Sequence, residues 1–120
     1  PKSDLTVEVI GHQWFWEYRY PKYGIVFANE PLVIPVGKIV AADVTSIDVV
    51  HSWFVPDFGV KMDANPGRIN HTWFQVEKPG TYGGQCAELC GVLHAEMMIT
   101  VKVVTADEFD RWIEQKRKGA

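Results

Sequence analysis

The stretch Met97–Val104, "MMITVKVV", decides the fold. Its apolar residues recur at every second position, with Met97, Ile99, Val101 and Val103 on one face and Met98, Thr100 and Lys102 on the other. Successive side chains of a strand point to opposite faces, so this period of two predicts a β-strand with one face turned to a core. Met97 then points inward, at the strand end nearest the stretch that holds both cysteines of the chain, Cys86 and Cys90.

The same alternation continues upstream. Leu5, Val7 and Val9 share one strand face, and the run continues into the aromatic cluster "HQWFWEYRY" (12–20). After the turn-rich "YPKYG" and "NEP", the segments "LVIPVGKIVAADVTS" (32–46) and "VVHSWFVP" (49–56) read as further strands. Pro35 cannot donate to a ladder, so it marks an edge or a break. "GVKMDANPGR" (59–68) reads as a loop by its Asn, Pro and Gly, "INHTWFQVEK" (69–78) as a strand, and "PGTYGGQC" (79–86) as a turn leading into another. Downstream, Thr105 opens a helix, with Glu108 completing a capping box and Phe109, Trp112 and Ile113 making an apolar stripe. Lys116, Arg117 and Lys118 close it, where cations suit the helix C-terminus. Six to eight short strands and one terminal helix predict an all-β Greek-key sandwich or barrel.

A chain of 120 residues fits one domain over 1–120, with room for a hydrophobic core that needs no disulfide. The formal charge of -3 and the 22% of charged residues describe a mildly acidic surface without a nucleic-acid footprint. An electrostatic partner should therefore be basic. No run approaches the roughly 20 apolar residues that span a bilayer, and "PKSDLTVEVIG" lacks the regions of a signal peptide.

The chemistry lies in Gln85–Met97, "QCAELCGVLHAEM". Two cysteines four residues apart could form a disulfide. So short a loop removes little chain entropy when closed, and a disulfide explains neither His94 nor Met97. The spacing CxxxCxxxHxxM places two thiolates, an imidazole and a thioether within twelve residues. That soft set favours copper over zinc, because copper electron-transfer sites use methionine as a weak axial donor. A mononuclear copper site uses one cysteine, so two become intelligible if they bridge two ions. Two ions require a second histidine. His51 ends an apolar run ahead of a loop and is the best candidate, whereas His12 and His71 sit in polar-alternating strands and read as solvent-facing or hydrogen-bonded. No nucleophile pairs with a base, so no catalytic residue is expected. Trp53, Phe54 and Trp73 read as core aromatics.

"GHQWFWEYRYP", "DVTSIDVVHSWFVPDFGVKMDANPGR" and "PGTYGGQCAELCGVLHAEM" resemble the soluble CuA domain of subunit II of the haem–copper cytochrome c oxidases. The resemblance runs from about Val9 to Val104. It implies a cupredoxin fold with two copper ions bridged by the thiolates of Cys86 and Cys90. His51 and His94 would each bind one ion, Met97 would be a weak ligand to one, and the backbone carbonyl of Glu88 would serve the other. The Glu88 carboxylate falls where the family holds magnesium at the boundary with subunit I, and Trp14 falls where electrons enter from cytochrome c. The implied role is to pass electrons from cytochrome c to haem in subunit I, where oxygen is reduced, at the outer face of a bacterial cytoplasmic membrane. Membrane attachment would come from the family's transmembrane helices or from partner subunits. Leu93, Glu96 and Met98 depart from the family's usual Asn, aromatic and Pro, and Arg19 stands at a usually acidic position with Glu17 nearby. "LHAEM" leans toward the CuA loop of nitrous oxide reductase, and a nitric or nitrous oxide reductase domain is the alternative. Glu88 and "GHQWFW" point to the oxidase. Asp48, Asp57 and Glu17 are candidates for a docking face that would attract a basic cytochrome c.

Overall fold

The computed structural model describes residues 2–86 and 97–119. Among the described residues there are ten strands: β1 (Leu5–His12), β2 (Phe15–Tyr20), β3 (Ile25–Ala28), β4 (Leu32–Pro35), β5 (Ile39–Ser46), β6 (His51–Val55), β7 (Val60–Ala64), β8 (Asn70–Gln75), β9 (Gly80–Cys86) and β10 (Met98–Val104). They form two five-stranded sheets, in the orders β3-β2-β1-β5-β8 and β4-β10-β9-β6-β7. The pairs β1–β5 and β4–β10 are parallel and the others antiparallel. An α-helix, α1 (Ala106–Lys118), follows β10. The sandwich is the all-β architecture expected, with more strands than the six to eight anticipated.

The extra strands arise where turn chemistry misleads. Val60, Met62 and Ala64 alternate with exposed Lys61 and Asp63, so β7 is a half-buried strand inside the stretch read as loop. Outside β7, that stretch is non-strand at Gly59 and from Asn65 to Arg68, the Asn65–Pro66–Gly67 corner among them. The aromatic cluster is not a continuation of β1. The chain reverses at Gln13–Trp14, and β2 pairs back antiparallel with Val9 opposite Tyr18. Pro35 closes β4, an edge strand, so its missing N–H costs no ladder bond.

Parity in the last strand holds. Met97, Ile99, Val101 and Val103 are each 2% exposed or less, while Met98 is 61% exposed. Trp53 joins this core, but Phe54 is only half-buried and Trp73 is 51% exposed. The reason is again parity: Trp73 is the register partner of half-buried Ala41, whereas Phe74, one residue on, is the partner of buried Val40.

Two phenols tie the sheets together. Tyr18 accepts from Trp53 Nε1 at 3.3 Å, and the Tyr20 hydroxyl both donates to Val33 O at 2.6 Å and accepts from Val33 N at 2.9 Å. Burial pushes both phenols well above the ordinary tyrosine value. Val33 lies on edge strand β4, so Tyr20 satisfies two backbone groups that would otherwise be left buried and unpaired. Tyr20→Phe is expected to cost about 2 kcal/mol in urea unfolding, because it leaves both groups without a partner. An unchanged urea midpoint would show that the two groups find other partners.

Helix α1 packs against β3 and β4. Thr105 and Glu108 form the reciprocal capping box, which also holds the exposed Glu108 carboxyl below its ordinary value. Phe109 and Ile113 are buried, and Trp112 packs against Tyr20 and Phe27 at centroid distances of 5.0 and 5.7 Å. Lys116 bonds Glu30 and lies over the Phe27 ring.

Candidate metal centre

Strand order gathers the candidate ligands. In the second sheet β10, β9 and β6 are neighbours, and β9 runs antiparallel to both others. The end of β9 is Cys86, the start of β6 is His51, and Met97 immediately precedes β10. All three therefore meet at one end of one sheet. The register is direct: Cys86 is opposite Trp53, two residues beyond His51, and Gln85 is opposite Met98. Glu88, Cys90 and His94 belong to the 87–96 connection and lie outside the described residues. Among the described residues, no three His, Cys, Asp or Glu side chains form a cluster able to hold a metal ion.

His51 is the most informative residue. It is 0% exposed, and its Nε2 lies 2.8 Å from Asp48 Oδ1. Asp48 is fixed by the backbone N–H groups of Gln13 at 2.7 Å and Val49 at 2.6 Å, and by Ser46 Oγ at 3.3 Å. Desolvation alone would raise the Asp48 carboxyl, but hydrogen bonds from His51, Gln13 and Val49 outweigh it and hold the value below the usual one. An ionised carboxylate only accepts, so Nε2 carries the proton, and the tautomer with one ring proton has its lone pair on Nδ1. Nδ1 is buried and has no hydrogen-bond partner. A buried lone pair on a ring fixed by a carboxylate is the arrangement of a metal-ligating histidine. Asp48, read from sequence as a docking charge, therefore orients His51. An Asp three residues before a buried histidine, within "SIDVVH", was the available signal.

Met97 is 2% exposed and lines a cleft of about 270 Å³ with Trp14, Phe15, Trp16, Tyr18 and Met98. Trp14 lies in the β1–β2 turn, 39% exposed. The ring of Trp16 meets that of His51 edge-on, with centroids 5.7 Å apart. The other two histidines are hydrogen-bonded as expected. His12 Nε2 is 2.8 Å from Glu17, which Arg19 also bonds, and His71 Nδ1 is 2.6 Å from Asp43. Desolvation of Glu17 is outweighed by the bonds from Arg19 and His12, which keep its carboxyl below the ordinary value.

Two facing sheets with a buried imidazole, a buried thioether and a cysteine gathered at one end define a cupredoxin-like domain with a candidate metal centre. A sequence profile of the periplasmic domain of cytochrome c oxidase subunit II matches residues 25–104. The chain is 40% identical to cytochrome c oxidase subunit 2 of Cereibacter sphaeroides over 156 residues, covering 99% of this chain and 52% of that protein. It superposes on the crystal structure of the periplasmic domain of subunit II of cytochrome oxidase (CoxB) of Bradyrhizobium japonicum with a TM-score of 0.95, 42% identity, and coverage of 99% and 97% of the two chains. A subunit II domain of cytochrome c oxidase in a mixed-disulfide intermediate with a thioredoxin-like protein gives 0.91 and 41%, covering 99% of this chain and 94% of that one. The chain belongs to the cytochrome c oxidase subunit II family and corresponds to its periplasmic domain. It spans about half the length of the curated relative it matches.

Proposed function

We propose that this domain transfers single electrons through a binuclear copper centre, taking them from cytochrome c and passing them to haem in subunit I of a terminal oxidase. The observation that carries the reading is His51: a fully buried ring, protonated toward Asp48, with Nδ1 unpartnered at the sheet end where Cys86 and Met97 also lie. Cys86, Cys90, His51, His94, Met97 and the backbone carbonyl of Glu88 would hold the two ions, with the two thiolates and two imidazoles as the main donors and the thioether as a weak one. In the full complex the Glu88 carboxylate would be the group to hold a magnesium ion. The relative that forms a mixed disulfide with a thioredoxin-like protein supports thiols that exchange with partners rather than a structural staple. A denitrification reductase fits less well, because the relatives reported above are oxidase subunits.

Two copper ions sharing one electron across a dithiolate core would supply transfer with little change in bond lengths. The chain's own part is to hold that core still and dry. Asp48 fixes the tautomer and plane of His51. Trp53, Val55 and Ile99, all fully buried, exclude water beneath the ligands. Trp14 offers an exposed aromatic edge in the same cleft as Met97, and is assigned as the point where electrons enter. The working location is the outer face of a bacterial cytoplasmic membrane, with attachment through segments or subunits beyond this domain. Among the described residues no helix is long and apolar enough to cross a membrane.

Copper analysis with electron spin resonance tests the proposal. The expected result is two coppers per chain, a purple colour and hyperfine structure from two equivalent ions. A colourless product without free thiols after reduction and copper addition would sink it.

A further inference from the structure

The inward row of β1 runs Leu5, Val7 and Val9 and then ends on Gly11. Packed sheets lie about 10 Å apart, and side chains from both inner faces normally interdigitate to fill that gap. At Gly11 one side chain fills it. A Cβ on Gly11 would lie 2.6 Å from Cδ2 of His51 and 2.9 Å from Cγ, closer than real Cβ atoms come. The His51 ring, carried by β6 of the second sheet, thus crosses the layer and rests on the bare backbone of β1 in the first. Conformation does not demand this glycine, since it is not among the positive-φ residues. Alanine could adopt the same backbone, and what its Cβ would meet first is the His51 side chain.

β1 and the turn after it hold the same ring in a second way. Two residues beyond Gly11, Gln13 N–H donates to Asp48, whose other oxygen accepts from His51 Nε2. The carbonyl of Gly11 accepts Ile47 N–H at 3.1 Å, anchoring the turn that delivers Asp48. Trp16, on the neighbouring strand β2, closes a further side of the ring edge-on.

We propose that Gly11 is a positioning residue for the metal ligand His51. Its missing side chain is the seat on which the ring lies with Nε2 against Asp48 and Nδ1 left unpartnered. This rests on reading His51 as a copper ligand. In Gly11→Ala the added methyl lifts the ring from β1, so the ring leaves Asp48 and the plane in which Nδ1 serves a metal.

The test uses the domain in reduced, metal-free form and copper(I) as the probe, in competition with a chromophoric copper(I) chelator. Gly11→Ala is expected to hold copper(I) on the order of 10 to 100-fold more weakly, the usual cost of disturbing a ligand's outer partner. In nitrogen-15 spectra of the metal-free variant, the hydrogen-bonded Nε2–H signal of His51 is expected to be lost. Gly83→Ala, whose Cβ meets nothing within 4 Å, is expected to leave both readings at those of the parent. A folded Gly11→Ala domain with unchanged copper(I) retention overturns the proposal. If that variant does not fold, the unsubstituted domain decides: a nuclear Overhauser contact between Gly11 Hα and His51 Hδ2 supports the seat, and its absence overturns it. Failure of the unsubstituted domain to take copper(I) would count against the copper reading itself, while the nuclear Overhauser contact still decides the seat.

Discussion

Cys86→Ser is expected to give a folded domain whose copper content falls from about two ions per chain to about one or none, because an alkoxide or hydroxyl cannot replace a soft bridging thiolate. Met97→Leu is expected to retain both ions and to change only the redox potential. The two substitutions fall at the same end of the same sheet, so the contrast isolates ligand chemistry from position. Cys86 ends β9, and its pairing with Trp53 is a backbone matter that serine preserves. Met97 is 2% exposed with its side chain in the core, and leucine keeps its volume, so the fold should lose less than about 1.5 kcal/mol. As a weak donor, the thioether would tune a copper site and would not build one. Copper-to-protein ratio, absorption spectrum and potential, measured on both variants, read the contrast. Loss of all copper in Met97→Leu would mean that the thioether is a primary ligand and that the ranking of ligands is wrong.

How much of this was legible in the sequence depends on whether a residue's partner is near it in the chain. Strand parity is local, and it placed Met97, Ile99, Val101 and Val103 in the core correctly. The helix cap at Thr105 and Glu108 is equally local and formed as read. Turn chemistry was less faithful. The β1–β2 reversal at Gln13–Trp14 contains no Gly, Asn, Asp or Pro, so a hairpin read as a continuous run. Conversely, the Asn65–Pro66–Gly67 corner made its neighbour β7 look like loop. His51 could be called in only by the unfilled coordination demand of the cysteine loop. Its support was harder still to see. Asp48 three residues upstream has the pattern of a solvated loop charge; Val49 N–H is its chain neighbour, but only the fold brings Gln13 N–H from 35 residues away to hold it. Gly11 gave no signal at all, because the ring that requires it belongs to the opposite sheet, forty residues on. The ligands carry chemistry that sequence displays, whereas the groups that aim them are defined by packing between layers.

Gly84→Ala should damage stability and site together. A Cβ at Gly84 would stand 2.1 Å from the carbonyl oxygen of Phe54 and 3.1 Å from the Cα of Val55, both backbone atoms of β6. No rotamer change relieves a clash with backbone, so β6 and β9 must part. Their pairing is short, resting on Trp53 opposite Cys86 and Phe54 opposite Gln85. A displacement there pulls Trp53, which is fully buried, stacked on Phe74 and bonded to Tyr18, away from its place in the core. The expected cost is about 3 kcal/mol or more, at the upper end for overpacking because strand pairing is lost along with packing. The same displacement separates the strand that carries His51 from the strand that ends in Cys86, so copper uptake should fail even at temperatures where the variant remains folded. Gly83→Ala is the matched comparison, one residue away on the same strand with open space around it, and should lie within about 0.5 kcal/mol of the parent. Urea unfolding of the metal-free proteins and copper stoichiometry at low temperature read the two effects separately. A Gly84→Ala domain as stable as the Gly83→Ala one would mean that β6 and β9 can move apart freely, and the register between His51 and Cys86 would then not be what holds the ligands together.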